Sequence, residues 1–275
     1  MTRSTLIRLA SAIAIAIILL ITIVIVYVNQ KPLVPFLIYY GGLPNTIQET
    51  HVFTKKLQSY SVVILGTGLD NPVIASDIIR SEHKTPHPIR FYGYISIGVT
   101  HQAGNLSTKQ VQLLLHRWKS IGVYGVLYDT AGPDFGVTHH RLTSFIQLAH
   151  QMGLYVIINS WEPQAVINTG LTANDGYLAE NWYESDGNVR TVPTGAAYVQ
   201  QLKDNHIPIY MTATGASRIN SVSPKIIKTW IAGSEKVAGG QYIAISDENY
   251  SSQTDFIEPA AIIHKLTKRS WFTGW

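Results

Sequence analysis

Short apolar runs recur along this chain, separated by segments with helical spacing, and this alternation constrains the fold more than any other feature. Apolar runs of about four to eight residues, bounded by turn signals, are typical of buried strands. Strands that alternate with helices indicate parallel βαβ units. We predict eight strands, at 36–40, 61–65, 89–96, 125–129, 154–159, 176–180, 207–212 and 241–246. Eight such units predict an α/β fold, a (β/α)8 TIM barrel rather than an open sheet.

Helical patterns fill most of the intervals between these runs. Capping residues and apolar spacing predict helices at 46–59, 108–121, 138–152, 223–240 and 258–268, and another that opens at 70–72. Between the fifth and sixth strands we predict only a short helical turn beginning at Pro163. No Gly-x-Gly-x-x-Gly motif follows the first strand and no Gly-x-x-x-x-Gly-Lys motif occurs, which disfavours a nucleotide-binding open sheet.

The N-terminal segment differs from the rest of the chain. Arg3 and Arg8 precede residues 9–28, twenty residues without a charge, a proline or a glycine. At about 1.5 Å per residue this stretch spans roughly the 30 Å core of a bilayer. We predict that residues 1–32 form a cytoplasmic tip, a retained transmembrane signal anchor and a short linker. The alternative is a cleaved signal peptide, and either would export residues 33–275 as the barrel.

Charge and cysteine content exclude several classes of function. The chain has 21 basic and 17 acidic residues. The anchor segment holds Arg3, Arg8 and Lys31 and no acid, so the barrel has 18 basic and 17 acidic residues. A near-neutral domain gives no electrostatic reason to bind nucleic acid. With no cysteine, the chain has neither disulfides nor thiolate chemistry.

Carboxylates end several of the predicted strands. Asp129 closes the fourth run and Glu180 the sixth, while Asp247 and Glu248 follow the eighth. The C-terminal ends of barrel strands meet at one mouth, so we expect Asp129 and Glu180 to face each other there. Paired carboxylates are the groups that glycoside hydrolysis uses. Alternatively, Asp129 caps the loop that follows it and Glu180 is also structural. Asp247 and Glu248 would then be a solvated pair. We predict that two further acids, Glu162 and Asp175, are exposed loop residues.

Aromatic residues are concentrated at the same strand ends. Their apolar faces and polar edges suit a pocket for a polar ring, although each taken singly also fits a core position. The predicted sugar-contacting residues are Tyr39, Tyr40, Tyr94, Asn159, Trp161, Trp182 and Asp247. We expect no metal or cofactor, since adjacent His139 and His140 point in different directions on a helix and no third ligand stands at metal spacing.

Several strand motifs resemble a known family. Residues 38–42 (IYYGG), 91–98 (FYGYISIG), 122–129 (GVYGVLYD) and the strand ending at Glu180 are similar to the spherulation-specific family 4 and the related endo-alpha-1,4-polygalactosaminidase-like barrels. The resemblance implies a glycosidase-like TIM barrel with Asp129 and Glu180 at the positions of the family's acids. The family often has a Glu after the strand-four Asp, where this chain has Thr130.

Together these patterns predict a membrane-anchored, extracytoplasmic glycoside hydrolase. Its partners would be the membrane and a surface or matrix polysaccharide, which the resemblance implies contains amino sugars. Asp129 would act as nucleophile or base and Glu180 as general acid. The alternative is a non-catalytic carbohydrate-binding or cell-surface structural barrel, because a fold does not fix a function.

Overall fold

The structure is a computed structural model that describes Ile15, Ile18 and residues 33–82, 85, 88–180, 184–185, 188–189, 196–213 and 241–245. The chain divides into two compact units, Met1–Pro32 and Leu33–Trp275. Ile15 and Ile18 are helical, and the rest of the predicted span at 9–28 lies outside the described residues. Among the residues that are described, no helix has both the length and the apolarity needed to cross a membrane.

Eight parallel strands form a closed barrel in the second unit. They are β1 (Val34–Tyr39), β2 (Val62–Leu65), β3 (Arg90–Ser96), β4 (Gly125–Asp129), β5 (Tyr155–Asn159), β6 (Gly176–Ala179), β7 (Ile209–Ala213) and β8 (Tyr242–Ile245). Each strand pairs with its neighbours in chain order, and β8 pairs with β1 to close the barrel, Val34 lying opposite Tyr242. The prediction of an eight-stranded parallel barrel is confirmed.

Five helices are described around these strands. They are α1 (Ile47–Leu57), α2 (Pro72–Glu82), α3 (Thr108–Ile121), α4 (His139–Gln151) and α5 (Ala196–Asp204). Capping boxes start α1 at Thr46 with Glu49 and α3 at Ser107 with Gln110, each satisfying backbone N–H groups of the first turn. A short 3-10 turn, Pro163–Val166, stands between β5 and β6 as predicted. The helices predicted at 223–240 and 258–268 lie outside the described residues.

Strand side chains alternate between two cores. One set fills the barrel interior and includes Phe36, Tyr92, Leu127, Ile157, Leu178 and Tyr210. The other packs between strands and helices and includes Phe91, Val126, Tyr128, Val156, Ile158 and Tyr177. Because successive strand residues point to opposite faces, this alternation decides which residue at each strand end faces the mouth.

An arginine among tyrosines fills the N-terminal end of the barrel. Arg90, the first residue of β3, donates a hydrogen bond to the Tyr242 hydroxyl, and its guanidinium lies 5.6 Å from the centre of the Tyr124 ring. The Tyr242 ring stacks on Tyr210 at 4.3 Å with 9° between the rings. Cation–π contacts stabilise a partly buried guanidinium. The interior is therefore a packed core at this end, and the chemistry-bearing side chains lie at the other.

The prediction that Asp175 is an exposed loop residue is wrong. The residue is 1% exposed, directly before β6. Its carboxylate accepts hydrogen bonds from the Val156 amide at 2.8 Å and from the Thr172 amide at 2.7 Å, and the His150 ring lies 3.0 Å away. Asp175 thus joins α4, β5 and the approach to β6. Glu162, predicted to be exposed, is exposed.

Candidate active site

Three strand ends bring polar side chains together at the C-terminal mouth of the barrel. Asp129 is the last residue of β4, Asn159 is the last residue of β5, and Glu180 directly follows β6. β4 pairs with β5 and β5 with β6, so the three residues lie on adjacent strands. Each side chain takes the inward position in the alternation of its strand. This mouth is where barrels of this architecture carry their active sites.

The Asn159 amide joins the two carboxylates. Its Nδ2 donates to Asp129 Oδ1 at 2.7 Å and to Glu180 Oε2 at 2.7 Å. Since both oxygens contact one nitrogen, they lie no more than twice 2.7 Å, or 5.4 Å, apart. The amide orientation follows from the chemistry, because only the nitrogen can donate. Asn159 Oδ1 is buried and has no hydrogen-bond partner among the described residues.

Two tyrosines flank the carboxylate of Asp129. The Tyr94 hydroxyl donates to Asp129 Oδ2, and the Tyr40 ring stands edge-on to the Tyr94 ring with 5.9 Å between ring centres. Burial raises the pKa of both phenols above the ordinary value, and the negative charge of Asp129 raises it further. Both hydroxyls therefore stay protonated, and that of Tyr94 donates to Asp129.

The site depends on a close approach at Gly66, which the sequence analysis missed. A Cβ atom on Gly66 would lie 2.4 Å from Cδ1 of Tyr40, so only glycine leaves room for this ring. Gly66 follows β2 directly, and its amide donates to the Tyr39 carbonyl at 2.8 Å. The signal in the sequence was a glycine at a strand end, which also fits an ordinary turn.

Tyr39 does not reach the mouth with its neighbour Tyr40. Its ring packs edge-on against Phe53 of α1 at 5.2 Å, and its hydroxyl donates to the Gly42 carbonyl at 2.7 Å. The residue belongs to the core between strands and helices. The prediction that Tyr39 lines a sugar site is therefore wrong: Tyr39 and Tyr40 are consecutive, so only one of them can face inward.

The remaining predicted contact residues fall into two groups. Trp161 lies in the loop after β5 and is 60% exposed, near the strand end that carries Asn159. Trp182 and Asp247 lie outside the described residues.

His139 and His140 are exposed, and the described part of the chain contains no group of three or more metal-ligating side chains that could hold an ion.

Comparison with solved structures supports the barrel. The glycoside hydrolase domain of PelA from Pseudomonas aeruginosa is 14% identical, with a TM-score of 0.52 over 81% of this chain and 99% of that one. A variant of that domain matches at 15% identity and a TM-score of 0.53, with the same coverage. Thiamine phosphate pyrophosphorylase from Pyrococcus furiosus matches at 10% identity and a TM-score of 0.51, over 86% of this chain and 96% of that one. At these identities the likeness shows the fold alone.

No protein-family model matches the chain, and no curated protein matches it. The two kinds of structural neighbour perform different reactions, so the barrel does not select between them. The chemistry has to be argued from the residues at the mouth.

Proposed function

We propose that this protein is a glycoside hydrolase whose catalytic pair is Asp129 and Glu180. The observation that carries the proposal is their separation: two carboxylate oxygens no more than 5.4 Å apart, joined by the Asn159 amide at the barrel mouth. Glycosidases place two carboxyl groups about 5–5.5 Å apart for retention and about 6.5–9.5 Å apart for inversion. The bound of 5.4 Å joins one oxygen of each acid, and this close approach is compatible with the retaining, double-displacement mechanism, which we include in the proposal.

The hydrogen bonds support separate roles for the two acids. Asp129 accepts from Tyr94 and Asn159, two donors that orient it as the nucleophile. Glu180 would give its proton to the glycosidic oxygen while Asp129 Oδ attacks the anomeric carbon and the bond to the leaving sugar breaks. In the second step Glu180 would take a proton from water, whose oxygen attacks the same carbon and releases Asp129.

A surface or matrix polysaccharide is the proposed substrate. Exposed Trp161 offers an aromatic face beside the mouth, the usual platform for a sugar ring. The PelA domain, whose structure is similar to this barrel, is a glycoside hydrolase domain. The strand motifs resemble the polygalactosaminidase-like barrels. We therefore place an amino-sugar polymer first among candidate substrates. The apolar run at 9–28 supports a membrane-anchored enzyme with its barrel outside the cytoplasm.

The test is a degradation assay on the full chain in detergent, with a partly N-acetylated α-1,4-galactosaminan as the first probe and other glycans beside it. We expect Asp129→Asn and Glu180→Gln each to lower the release of reducing ends by at least about 10³-fold. Glu162→Gln is the matched control, because it neutralises an exposed acid in the loop after β5 and should leave the rate unchanged. Equal rates for the parent and both carboxamide variants would refute the assignment.

The same assay distinguishes the alternative of a non-catalytic binding module. A chain that binds the polymer, keeps that affinity after Asp129→Asn and releases no product from any glycan would be a carbohydrate-binding barrel. Exposed Trp161 is the observation that also fits this alternative, since stacking on a ring requires no catalysis.

A further inference from the structure

Thr130, the residue after Asp129, has a backbone conformation that threonine rarely adopts. Its φ is 51°, in the left-handed region. The other described non-glycine residues with positive φ are Asn105, Asn168 and His206, types that tolerate this region better. A β-branched residue in this region is strained, and such strain persists only where the surroundings impose it. The contacts around Thr130 show what imposes it.

The Thr130 hydroxyl lies at the centre of a hydrogen-bond cluster between β3 and β4. It donates to the Asp129 carbonyl at 2.7 Å and accepts from the Gly98 amide at 3.1 Å. The Ser96 hydroxyl lies 2.8 Å from the Thr130 hydroxyl and 2.7 Å from the Ala103 carbonyl, and its single proton can be donated to either oxygen. One threonine hydroxyl therefore ties the end of β4 to the loop that follows β3.

The loop approaches Thr130 so closely because residue 98 is glycine. A Cβ atom on Gly98 would lie 2.4 Å from the Ala103 Cβ and 3.0 Å from the Thr130 hydroxyl oxygen. The first of these distances is too short for real atoms, so a side chain here would push the loop away. The hydrogen bond from the Gly98 amide to the Thr130 hydroxyl therefore depends on glycine at position 98.

This arrangement fixes the backbone on both sides of the Asp129 side chain. The Ile97 amide donates to the Asp129 carbonyl at 3.0 Å, which continues the β3 pairing. The left-handed turn at Thr130 then directs the Ala131 amide to the Asn159 carbonyl at 2.9 Å. The backbone of Asp129 is thereby held against β3, and the backbone of Ala131 is held against β5. The last residue of β5, Asn159, is the one whose amide contacts the Asp129 carboxylate.

We propose that Thr130 is a positioning residue: its hydroxyl and left-handed backbone hold the Asp129 carboxylate against the Asn159 amide. The expected effect of Thr130 substitutions on kcat rests on the proposed function. The positioning of the Asp129 carboxylate does not, because that geometry exists with or without turnover. Thr130 acts through Asp129 and needs no contact with the sugar. Nothing in the sequence motif around Asp129 assigns this role.

The test compares three variants of the full chain in detergent. Thr130→Val keeps the shape and removes the hydroxyl, and Thr130→Ser keeps the hydroxyl. Thr143→Val on α4 is the matched control, because it removes a buried hydroxyl that has no hydrogen-bond partner among the described residues. On the galactosaminan probe we expect Thr130→Val to lower kcat about 10- to 100-fold with KM nearly unchanged, since misplacing a reacting group affects the chemical step. Thr130→Ser and Thr143→Val should keep kcat within about threefold of the parent.

A second readout does not require turnover. Selective ¹⁵N-asparagine labelling gives the side-chain amide resonance of Asn159, assigned by its loss in Asn159→Ser. We expect Thr130→Val to shift this resonance, because the carboxylates that it contacts move, whereas Thr130→Ser and Thr143→Val leave it in place. If the parent cleaves no glycan, the proposed function fails, and the amide resonance still decides the role of Thr130.

Two results would overturn the proposal. One is a Thr130→Val chain with the parent's Asn159 resonance, whatever its activity. The other is a Thr130→Ser chain whose resonance has moved as far as that of Thr130→Val, since the hydroxyl would then not be the determinant. If Thr130→Val does not fold, Ser96→Ala replaces it, because it removes the hydroxyl partner without touching the turn. A Ser96→Ala chain with an unshifted resonance would count against the proposal in the same way.

Discussion

For a single strand residue, the face of the strand on which its side chain lies determines whether it reaches the barrel mouth or packs against a helix. Tyr39 and Tyr40 read alike in the sequence, yet Tyr40 stands beside Tyr94 at the mouth while Tyr39 packs on Phe53. Strict alternation from Phe36, an interior residue, would have placed them correctly. The contact between Asn159 and both acids was not predictable, because it depends on the registers of three strands.

Asp175 shows the limit of polarity as a guide to exposure. Its setting, Thr172-Ala-Asn-Asp175, has the composition of a solvated turn, and nothing local indicates that its carboxylate reaches the Val156 amide. A long-range backbone donor becomes visible only once β5 and the approach to β6 are adjacent in space. The same composition therefore fits both an exposed and a buried aspartate.

We expect Asp175→Ala to lower the free energy of unfolding by about 3 kcal/mol, because it leaves the buried Val156 amide without an acceptor and also removes the acceptor of the Thr172 amide. Asp77→Ala is the control: Asp77 pairs with Arg80 at 3.9 Å, and both side chains are mostly exposed. Such surface pairs contribute about 0–1 kcal/mol. Urea denaturation followed by tryptophan fluorescence measures both, and equal losses would contradict the buried role of Asp175.

At the scale of secondary structure elements, the sequence predicted what local patterns encode. All eight strands were found near their predicted bounds, because each is a short apolar run between turn residues. The start of α3 was equally clear, since Ser107 and Gln110 form a capping box. Helix α5 was not predicted, because among its residues 197–204 the buried apolar positions are Val199 and Leu202, too few to set a helical period.

For the chain as a whole, we propose a barrel that is exported from the cytoplasm and a segment that anchors it to the membrane. The barrel follows from the count and spacing of the strands, and its mouth follows from parallel pairing. The proposed anchor rests on composition alone, since residues 9–28 are uncharged and follow Arg3 and Arg8. These two parts are independent, so each needs its own test.

We expect the full chain to stay with membranes after alkaline-carbonate extraction, because releasing the twenty apolar residues at 9–28 would expose them to water. Protease added outside intact cells should degrade the barrel. Replacing Arg3 and Arg8 with neutral residues should weaken the orientation, since these charges hold the N-terminus inside. A mature chain in the medium that starts near residues 29–33 would instead identify a cleaved signal peptide.

We propose that Asp129 and Glu180 form a retaining catalytic pair, and the anomer of the first-formed product distinguishes this mechanism from inversion. Proton NMR, recorded within the first minutes of cleavage and before mutarotation, reports which anomer the full chain releases. A retaining mechanism releases the anomer of the bond that was cleaved, α from an α-linked polymer. Release of the opposite anomer would show that water attacks directly, and it would contradict the role of Asp129 as nucleophile.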